Sequence, residues 1–202
     1  MHILIEGPDL VGKSTIAREL TKRLKTLNID CIHKKGMILK HFGYKCLALF
    51  PAPNYPKSKI LNWLYILMSF FDKFIYKPPN SSSMIICESY VDRAIEYGKT
   101  LGFGLITNIA FTKLNSFFTF DLGILLISNL ETRRKRLERR VLKEKNEIDL
   151  ITTESTEIHD QFITNLQHIM KRHKKLYIFD TSQTTSDKII NEIITILGNE
   201  LC

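Results

Sequence analysis

Short apolar runs alternate with longer segments of helical periodicity along this chain. Continuous apolar or β-branched runs predict strands over residues 2–6, 29–33, 84–88, 122–127 and 176–180. Between them, apolar spacings of about three and four predict helices over 14–27, 58–76, 90–101, 104–116, 131–145, 155–174 and 186–198. Strands that alternate with helices of this length need crossover connections. The pattern therefore predicts an α/β fold, a three-layer sandwich with a five-stranded parallel sheet.

Composition is that of an ordinary globular protein. The chain has 202 residues, of which 44% are hydrophobic and 25% charged, and no stretch is long enough to link two domains, so one domain over 1–202 is expected. The long apolar helix is interrupted by Asn62, Asp72 and Lys73, and no membrane span is expected. The four cysteines lack paired or metal-type spacing. No signal peptide is expected, because the first apolar run is five residues long and leads straight into a glycine loop. These features predict a cytoplasmic protein with reduced thiols.

The formal net charge is +8, and much of the excess lies in one basic run over 133–145. A positive net charge of this size is compatible with binding to nucleic acid, to a membrane surface or to the several phosphates of a small molecule. No zinc finger, helix-turn-helix or aromatic-rich RNA-binding strand occurs in the sequence. Nucleic acid is therefore not an expected partner.

A phosphate-binding motif follows the first predicted strand. Residues 7–14, GPDLVGKS, match G-x-x-x-x-G-K-[ST] between a strand and a helix, which is the context this motif requires. In such a loop the backbone N–H groups converge on the phosphates, Lys13 bridges the β- and γ-phosphates, and Ser14 offers a hydroxyl to Mg²⁺. The motif therefore predicts ATP and Mg²⁺ as cofactors. The predicted donor-site residues are Gly7, Asp9, Val11, Gly12, Lys13, Ser14 and Thr15.

Other motifs narrow the class of nucleotide-binding protein. A GTPase would carry Asn-Lys-x-Asp, which does not occur in the sequence. A motor ATPase would usually end a strand in Asp or Asp-Glu, whereas the fourth predicted strand leads into Ser128 and Asn129. A small kinase, with a second pocket and a closing arginine segment, fits the remaining pattern.

Four segments carry a resemblance to a known family. EGPDLVGKST, residues 6–15, resembles the phosphate loop of thymidylate kinases, which holds an acidic residue. The segments 84–98 (MIICESYVDRAIEYG), 130–140 (LETRRKRLERR) and 178–190 (IFDTSQTTSDKII) are similar, more loosely, to the family's third strand, its R-I-x-x-R helix and its adenine-side loop. The chain thus resembles a divergent thymidylate kinase-like P-loop nucleoside or nucleotide kinase. The resemblance implies ATP–Mg²⁺-dependent phosphoryl transfer and a lid over about 139–155.

The resemblance assigns catalytic roles position by position. Lys13 would hold the donor phosphates, and Arg136 and Arg139 match the family pair that closes over the transferred group. Arg140 stands next to this pair. The alternative is a solvated basic helix face, most of all for the neighbouring arginines and lysine of the run, Arg133, Arg134 and Lys143.

The acceptor side departs from the family pattern. Asp9 falls where the family's loop acid approaches the acceptor sugar, although an Asp in a turn can equally bond its own backbone amides. Glu88 replaces the family Asp as a base or a Mg²⁺ contact, so Ser14 and Glu88 are the predicted metal residues. Ser89 replaces the family Arg that would hold the acceptor's phosphate. A serine cannot provide a charged bidentate fork.

Two interpretations of this loss stay open. In the first, Arg93 reaches back across one helical turn and holds the phosphate of a nucleoside monophosphate. In the second, the acceptor has no phosphate, and Glu88 takes the proton from a nucleoside 5′-hydroxyl, as in deoxynucleoside kinases. A carboxylate base suits a bare hydroxyl, whereas a phosphate oxygen is already anionic.

Residues for the acceptor base are predicted less directly. Lys73 matches the family's base-reading arginine, and Phe70 and Tyr97 could stack on a base or belong to the core. The segment Phe50–Pro51 has the family's Phe-Pro without its arginine, for which Lys57 or Lys59 could substitute. The residues at the end of the second strand, His33, Lys34 and Lys35, face the acceptor side in such a sheet or are plain surface residues.

The sequence thus predicts phosphoryl transfer from ATP to a nucleoside monophosphate through an altered acceptor site. The alternatives are a deoxynucleoside kinase with Glu88 as base, a non-catalytic or regulatory nucleotide-binding relative, and a nucleic-acid end kinase. The predicted acceptor residues are Asp9, Phe70, Lys73, Glu88, Ser89, Arg93 and Tyr97. Relatives commonly dimerise through helices on one face, so the resemblance also implies a homodimer through the apolar helix over 60–75.

Overall fold

The structure is a computed structural model that describes residues 1–38, 59–77, 83–140 and 147–201. The strands are β1 His2–Glu6, β2 Cys31–Lys35, β3 Met84–Glu88, β4 Leu122–Ile127 and β5 Lys175–Asp180. The helices are α1 Lys13–Thr26, α2 Lys59–Ile75, α3 Val91–Thr100, α4 Leu105–Thr112, α5 Leu130–Glu138, α6 Glu147–Ile151, α7 Thr156–Met170 and α8 Ser186–Leu201. A 3₁₀ turn, Leu114–Ser116, follows α4.

The five strands form one parallel sheet in the order β2-β3-β1-β4-β5. In the central strand, Ile3 pairs with Ile86 of β3 and with Leu122 of β4. Since all strands run the same way, their carboxyl ends share one edge, where open α/β sheets bind ligands. This edge brings Lys35, Glu88 and Glu6 into neighbouring positions.

Two hydrophobic cores cover the two faces of the sheet. Ile3 and Ile5 of β1 pack into a core formed with α1 and α8. Leu4 faces the opposite side and joins a core with α3 and α7. The strand is buried on both faces, which explains why its sequence is a continuous apolar run and not an alternating one. The predicted three-layer α/β sandwich is confirmed.

The polar residues that interrupt the apolar helix α2 point into the protein. Asn62 donates to the carbonyl of Ala94, and Asp72 accepts the Ile38 N–H; both side chains are fully buried. These bonds tie α2 to α3 through Asn62 and to the segment after β2 through Asp72. Across the described ranges, no helix has the length and apolarity needed to cross a membrane.

Element boundaries differ from the prediction in several places, and the differences near the site are these. β2 begins at Cys31, two residues later than predicted, so Lys34 and Lys35 belong to the strand. The predicted helix 104–116 is α4 followed by a 3₁₀ turn, and the predicted helix 131–145 stops at Glu138 in α5. The Phe50–Pro51 segment, Lys57, Lys143 and residues 141–146 of the predicted lid lie outside the described residues.

Candidate active site

The loop between β1 and α1 has the backbone of an anion cradle. Gly7 packs so closely on β4 that a Cβ would lie 2.2 Å from the Leu126 carbonyl oxygen. Gly12 caps α1 with φ +93°, a left-handed conformation that favours glycine. The N–H groups of the first helical turn have no acceptor within the helix, and glycine has no side chain to cap them. They are available for phosphate oxygens, helped by the positive end of the helix dipole.

Lys13 is folded back onto this loop. Its Nζ donates to the carbonyls of Gly7 at 2.7 Å and Pro8 at 2.6 Å, and lies 3.3 Å from Asp9 Oδ1. Burial lowers the pKa of Lys13 to about 8, although the Asp9 carboxylate opposes the shift. The side chain therefore keeps its positive charge at neutral pH beside the cradle.

Ser14 and Glu88 connect the loop to the end of β3. The Ser14 hydroxyl donates to Glu88 Oε1 at 2.5 Å, while Lys35 Nζ lies 3.1 Å from the same oxygen and His33 Nε2 lies 3.2 Å from Oε2. Burial alone would raise the pKa of Glu88, but the hydrogen bonds from Ser14 and Lys35 outweigh it, and the pKa is lowered. Glu88 is therefore held as a carboxylate.

This pair fits Mg²⁺. A hydroxyl and a carboxylate are the hard oxygen ligands that Mg²⁺ prefers, and Mg²⁺ usually takes one or two protein ligands and completes its shell with water and substrate phosphates. Within the described ranges, no group of three or more His, Cys, Asp or Glu side chains could hold a metal ion. Ser14 and Glu88 would therefore hold the ion together with a nucleotide.

The Asp9 side chain bonds to α3 and also lies near Lys13 of its own loop. Oδ1 accepts from Arg93 at 2.5 Å and Oδ2 from Tyr97 at 2.5 Å. Burial would raise the pKa of Asp9, but the Arg93 and Lys13 charges dominate and hold it well below its usual range. The expected alternative, an Asp bonded to its own turn amides, is not the observed arrangement. Asp9 instead ties the phosphate loop to α3.

One cavity of about 410 Å³ joins these groups. Of the predicted site residues, it is lined by Asp9, Gly12, Lys13, Ser14, Thr15, Glu88, Arg93, Tyr97 and Arg136. The other two predicted loop residues, Gly7 and Val11, are buried and do not line this cavity. A second cavity of about 230 Å³ adjoins the first, because Lys35, Arg93 and Tyr97 line both. A site with room for two ligands fits the reaction class that the sequence predicts.

Ser89 lines the second cavity in an unusual backbone conformation. Its φ is +62°, in the left-handed region, and its N–H donates to the Ile5 carbonyl at 3.0 Å. Its side chain is 4% exposed, and its hydroxyl has no hydrogen-bond partner among the described residues. The Ser89 hydroxyl is thus an unpaired polar group next to the cavity, and its oxygen is closed off from solvent in this arrangement.

Phe70 and Lys73 do not line either cavity. The ring centroids of Phe70 and Phe74 are 5.1 Å apart, and Phe70 lines a separate apolar groove between α2 and α4. Lys73 donates to the Asn115 carbonyl at 2.6 Å. Residues three apart share one helix face, and this face of α2 is turned toward α4 and the 3₁₀ turn. The predicted base-reading and stacking roles of these two residues are corrected by this placement.

The arginines at the end of α5 and directly after it lie in different surroundings. Arg136 does line the cavity, and it donates to the Leu10 carbonyl at 2.9 Å and the Thr181 carbonyl at 2.8 Å. Arg139 is exposed and does not line it, whereas Arg140 does and pairs with Asp149 at 2.9 Å. Of these two neighbours, the cavity wall includes Arg140 and not the predicted Arg139.

Sequence reasoning missed several residues of this region. Arg133, expected on a solvated face, is completely buried and donates to the Asp9 carbonyl at 3.1 Å. Its spacing from Leu130 and Leu137 places it on the inward stripe of α5, a signal that its charge obscured. Lys35 was treated as an acceptor-facing or plain surface residue, yet it contacts Glu88.

Glu6 was also missed. Its buried carboxylate accepts the N–H groups of Gly7 at 3.0 Å and Tyr90 at 2.9 Å, joining the ends of β1 and β3. Burial raises its pKa to about 6.

The comparisons with known proteins agree with this geometry. No family model matches the chain. A thymidylate kinase from an Exiguobacterium species is 20% identical over 199 residues, which cover 96% of this chain and 92% of that protein. A deoxyadenosine kinase from M. mycoides, solved with dCMP and dCDP, has a TM-score of 0.63 at 17% identity and covers 98% of this chain and 99% of its own. A thymidylate kinase from Ehrlichia chaffeensis has a TM-score of 0.62 at 15% identity and covers 98% of each chain.

These similarities bear on the fold. At sequence identities this low, similarity to a solved structure shows the fold alone. The similarity extends over nearly the whole chain. The chain has a thymidylate kinase-like P-loop kinase fold, as the sequence resemblance predicted.

Proposed function

We propose that this chain, which has the fold of the P-loop kinases, transfers the γ-phosphoryl group of ATP to a nucleoside monophosphate. One observation carries the proposal. Lys13 and Ser14 on the donor side and the Asp9–Arg93–Tyr97 group on the other side line the same cavity. Donor and acceptor would meet there with reacting groups in contact, which is the main requirement of phosphoryl transfer.

The donor half consists of the loop amides, Lys13 and Ser14. The first-turn N–H groups of α1 would cradle the phosphates, and Lys13 would leave the carbonyls of Gly7 and Pro8 for the β- and γ-phosphates. Ser14 and Glu88 would hold Mg²⁺, which when bound neutralises charge on the β- and γ-oxygens. Arg136 and Arg140 line the same cavity and would stabilise charge on the transferred group.

The acceptor half favours an anionic substrate. Arg93 and Lys35 place two cations at the junction of the two cavities, and Ser89 adds an unpaired hydroxyl. Together they would replace the bidentate arginine that the family carries at the position of Ser89. Glu88, held as a carboxylate with a lowered pKa, is a weak base, and a monophosphate acceptor needs none.

A nucleoside kinase is the second candidate, on a specific observation. Glu88 lies at the carboxyl end of β3 and borders the cavity, where a base for a 5′-hydroxyl would stand. The structural similarity to a deoxyadenosine kinase is in line with this candidate. If it is correct, Glu88→Gln abolishes turnover of a nucleoside while ATP binding persists.

The donor site is tested by Lys13→Ala with Lys22→Ala as a matched control. Both lysines lie on α1, but Lys22 is exposed on the far side of the helix from the loop. We expect Lys13→Ala to remove ATP turnover while far-UV circular dichroism stays unchanged, and Lys22→Ala to behave as wild type. Turnover that survives in Lys13→Ala would show that the donor site is elsewhere.

A further inference from the structure

Arg133 is the largest completely buried side chain among the described residues. Its Nε donates to the Asp9 carbonyl at 3.1 Å. One guanidinium NH₂ group donates to the Thr152 carbonyl at 2.9 Å and the other to the Thr152 hydroxyl at 2.8 Å. All three partners are uncharged. The three hydrogen bonds go to two separate segments of the chain, one at each end of the guanidinium group. A rigid, buried guanidinium group bonded in this way holds the two segments at a fixed distance.

One of these ends is the phosphate loop. The Asp9 carbonyl receives Arg133, while the Asp9 side chain binds Arg93 and Tyr97 at the junction of the two cavities. A shift of this carbonyl would therefore move the groups that face the acceptor.

The other end is the turn that follows α6. Thr152 lies directly after this helix, which contributes Ile148 to the cavity wall and Asp149 to the ion pair with Arg140. α6 has only five residues and is too short to hold its own position. Arg133 therefore sets how far this wall stands from the phosphate loop.

We propose that Arg133 is a positioning residue for phosphoryl transfer, acting through Asp9 and Thr152 without contacting either substrate. The proposal rests on the proposed kinase function. It predicts a loss in kcat rather than in ATP binding, because the loop amides and Lys13 that bind the donor are not partners of Arg133. Misplacement of about 1 Å can lower a rate roughly 100-fold.

Two adjacent threonines provide a matched test. The hydroxyls of Thr152 and Thr153 each donate to a carbonyl four residues earlier, Ile148 at 2.7 Å and Asp149 at 2.6 Å, and both residues are buried. The Thr152 hydroxyl also accepts from Arg133, whereas the Arg134 bond to Thr153 uses only the carbonyl. Replacement by valine thus removes one of the two Arg133–Thr152 hydrogen bonds in one variant and spares the arginine bond in the other.

Thr152→Val and Thr153→Val should lose similar amounts of stability in urea denaturation. We expect kcat to fall about 3- to 10-fold in Thr152→Val, the equivalent of one lost hydrogen bond, with the KM for ATP changed less than about twofold. Thr153→Val should keep the wild-type kcat. Arg133→Met removes all three hydrogen bonds and should lower kcat roughly 100-fold. Adding Thr152→Val to it should cause no further loss of kcat, because the Thr152 hydroxyl then has no arginine to bind.

The outcomes separate this proposal from the function on which it rests. If wild type shows no acceptor-dependent turnover, the kinase proposal fails and the role proposed for Arg133 fails with it. If wild type turns over and the two valine variants have the same kcat, Arg133 has only a structural role. Should Arg133→Met fail to fold, the threonine pair alone decides.

Discussion

The Ser14 hydroxyl donates to Glu88 Oε1 across 2.5 Å, although the two residues are 74 positions apart in the chain. Ser14 opens the helix after the phosphate loop, and Glu88 ends the neighbouring strand β3. The bond exists because β1 and β3 pair in parallel, which brings the loop after one strand beside the end of the other. It joins the donor side of the candidate site to the acceptor side.

Removal of this hydroxyl should weaken Mg²⁺-dependent turnover. Ser14→Ala loses both the proposed Mg²⁺ ligand and the bond to Glu88, so kcat/KM should fall roughly 10- to 100-fold. The Mg²⁺ concentration at half-maximal rate should rise, which a magnesium titration at saturating ATP measures. Ser14→Thr retains a hydroxyl that the motif permits and should largely restore both values. Equal magnesium curves for wild type and Ser14→Ala would argue against a metal role.

ATP affinity should weaken in alkaline solution. Burial lowers the pKa of Lys13 to about 8, whereas the bound phosphates would favour its charged form. Below pH 8 the free protein already carries this proton. Above pH 8 it must take one up on binding, so the dissociation constant should rise by up to roughly tenfold per pH unit.

Calorimetry in buffers with different ionisation enthalpies measures that proton uptake directly. Lys13→Arg serves as the control, since a guanidinium remains charged throughout this range. A wild-type affinity that stays constant to pH 9.5, with no proton uptake, would contradict the assignment of Lys13 to the phosphates.

The neighbours Arg139 and Arg140 should differ in their effect on rate. Arg140 lines the cavity and pairs with Asp149, whereas Arg139 is exposed outside it. Arg140→Ala should therefore lower kcat at least about tenfold, since arginines at the transferred group stabilise its developing charge. Arg139→Ala should lower it less than about twofold. Single-turnover assays on both variants check this order, and the reverse order would restore the sequence-based assignment.

Glu96 should make stability depend on pH. Its carboxylate is completely buried, Thr100 donates to its Oε1 at 2.7 Å, and burial raises its pKa to about 8 from an ordinary value of 4.5. Between these values the folded state binds more protons than the unfolded state, so stability falls as pH rises from 4.5 to 8.

Glu96→Gln imitates the protonated form and should remove this loss. We compare the free energy of unfolding of Glu96→Gln with that of wild type by urea denaturation at pH 5 and pH 8.5. The variant's advantage should be about 2–4 kcal/mol larger at pH 8.5 than at pH 5. Glu192→Gln, at an exposed site of α8, is the control. Its free energy of unfolding should differ from that of wild type by the same amount at both pH values. A Glu96→Gln difference that is independent of pH would mean that the carboxyl is ionised in the folded protein.

The phosphate loop and the sheet could be predicted because their signals are local. A continuous apolar run, two glycines and Lys13 with Ser14 specify the strand, the loop and the helix start without knowledge of distant contacts. The contacts of Lys35 could not be predicted in this way. A shift of β2 by two residues keeps every side chain on the same face, so the apolar pattern does not fix where the strand ends.

The errors on the helices have similar physical causes. α2 is apolar on most of its circumference, so only packing against α3 and α4 decides which face Phe70 and Lys73 occupy. Arg139 and Arg140 both follow the last residue of α5, and the R-I-x-x-R spacing counted from Arg136 leads to Arg140, the residue that lines the cavity. Arg133 was misjudged because charged residues are seldom buried without a charged partner.

The central claim, phosphoryl transfer to a nucleoside monophosphate, is tested most directly by labelled phosphate from [γ-³²P]ATP. Each common nucleoside and its 5′-monophosphate are offered separately to wild type and to Arg93→Ala. We expect label in a nucleoside diphosphate, and in Arg93→Ala a rise of roughly tenfold or more in the KM for that monophosphate, with the KM for ATP nearly unchanged. Label in a nucleoside monophosphate formed from a nucleoside, or ATP binding without transfer to any acceptor, would contradict the claim.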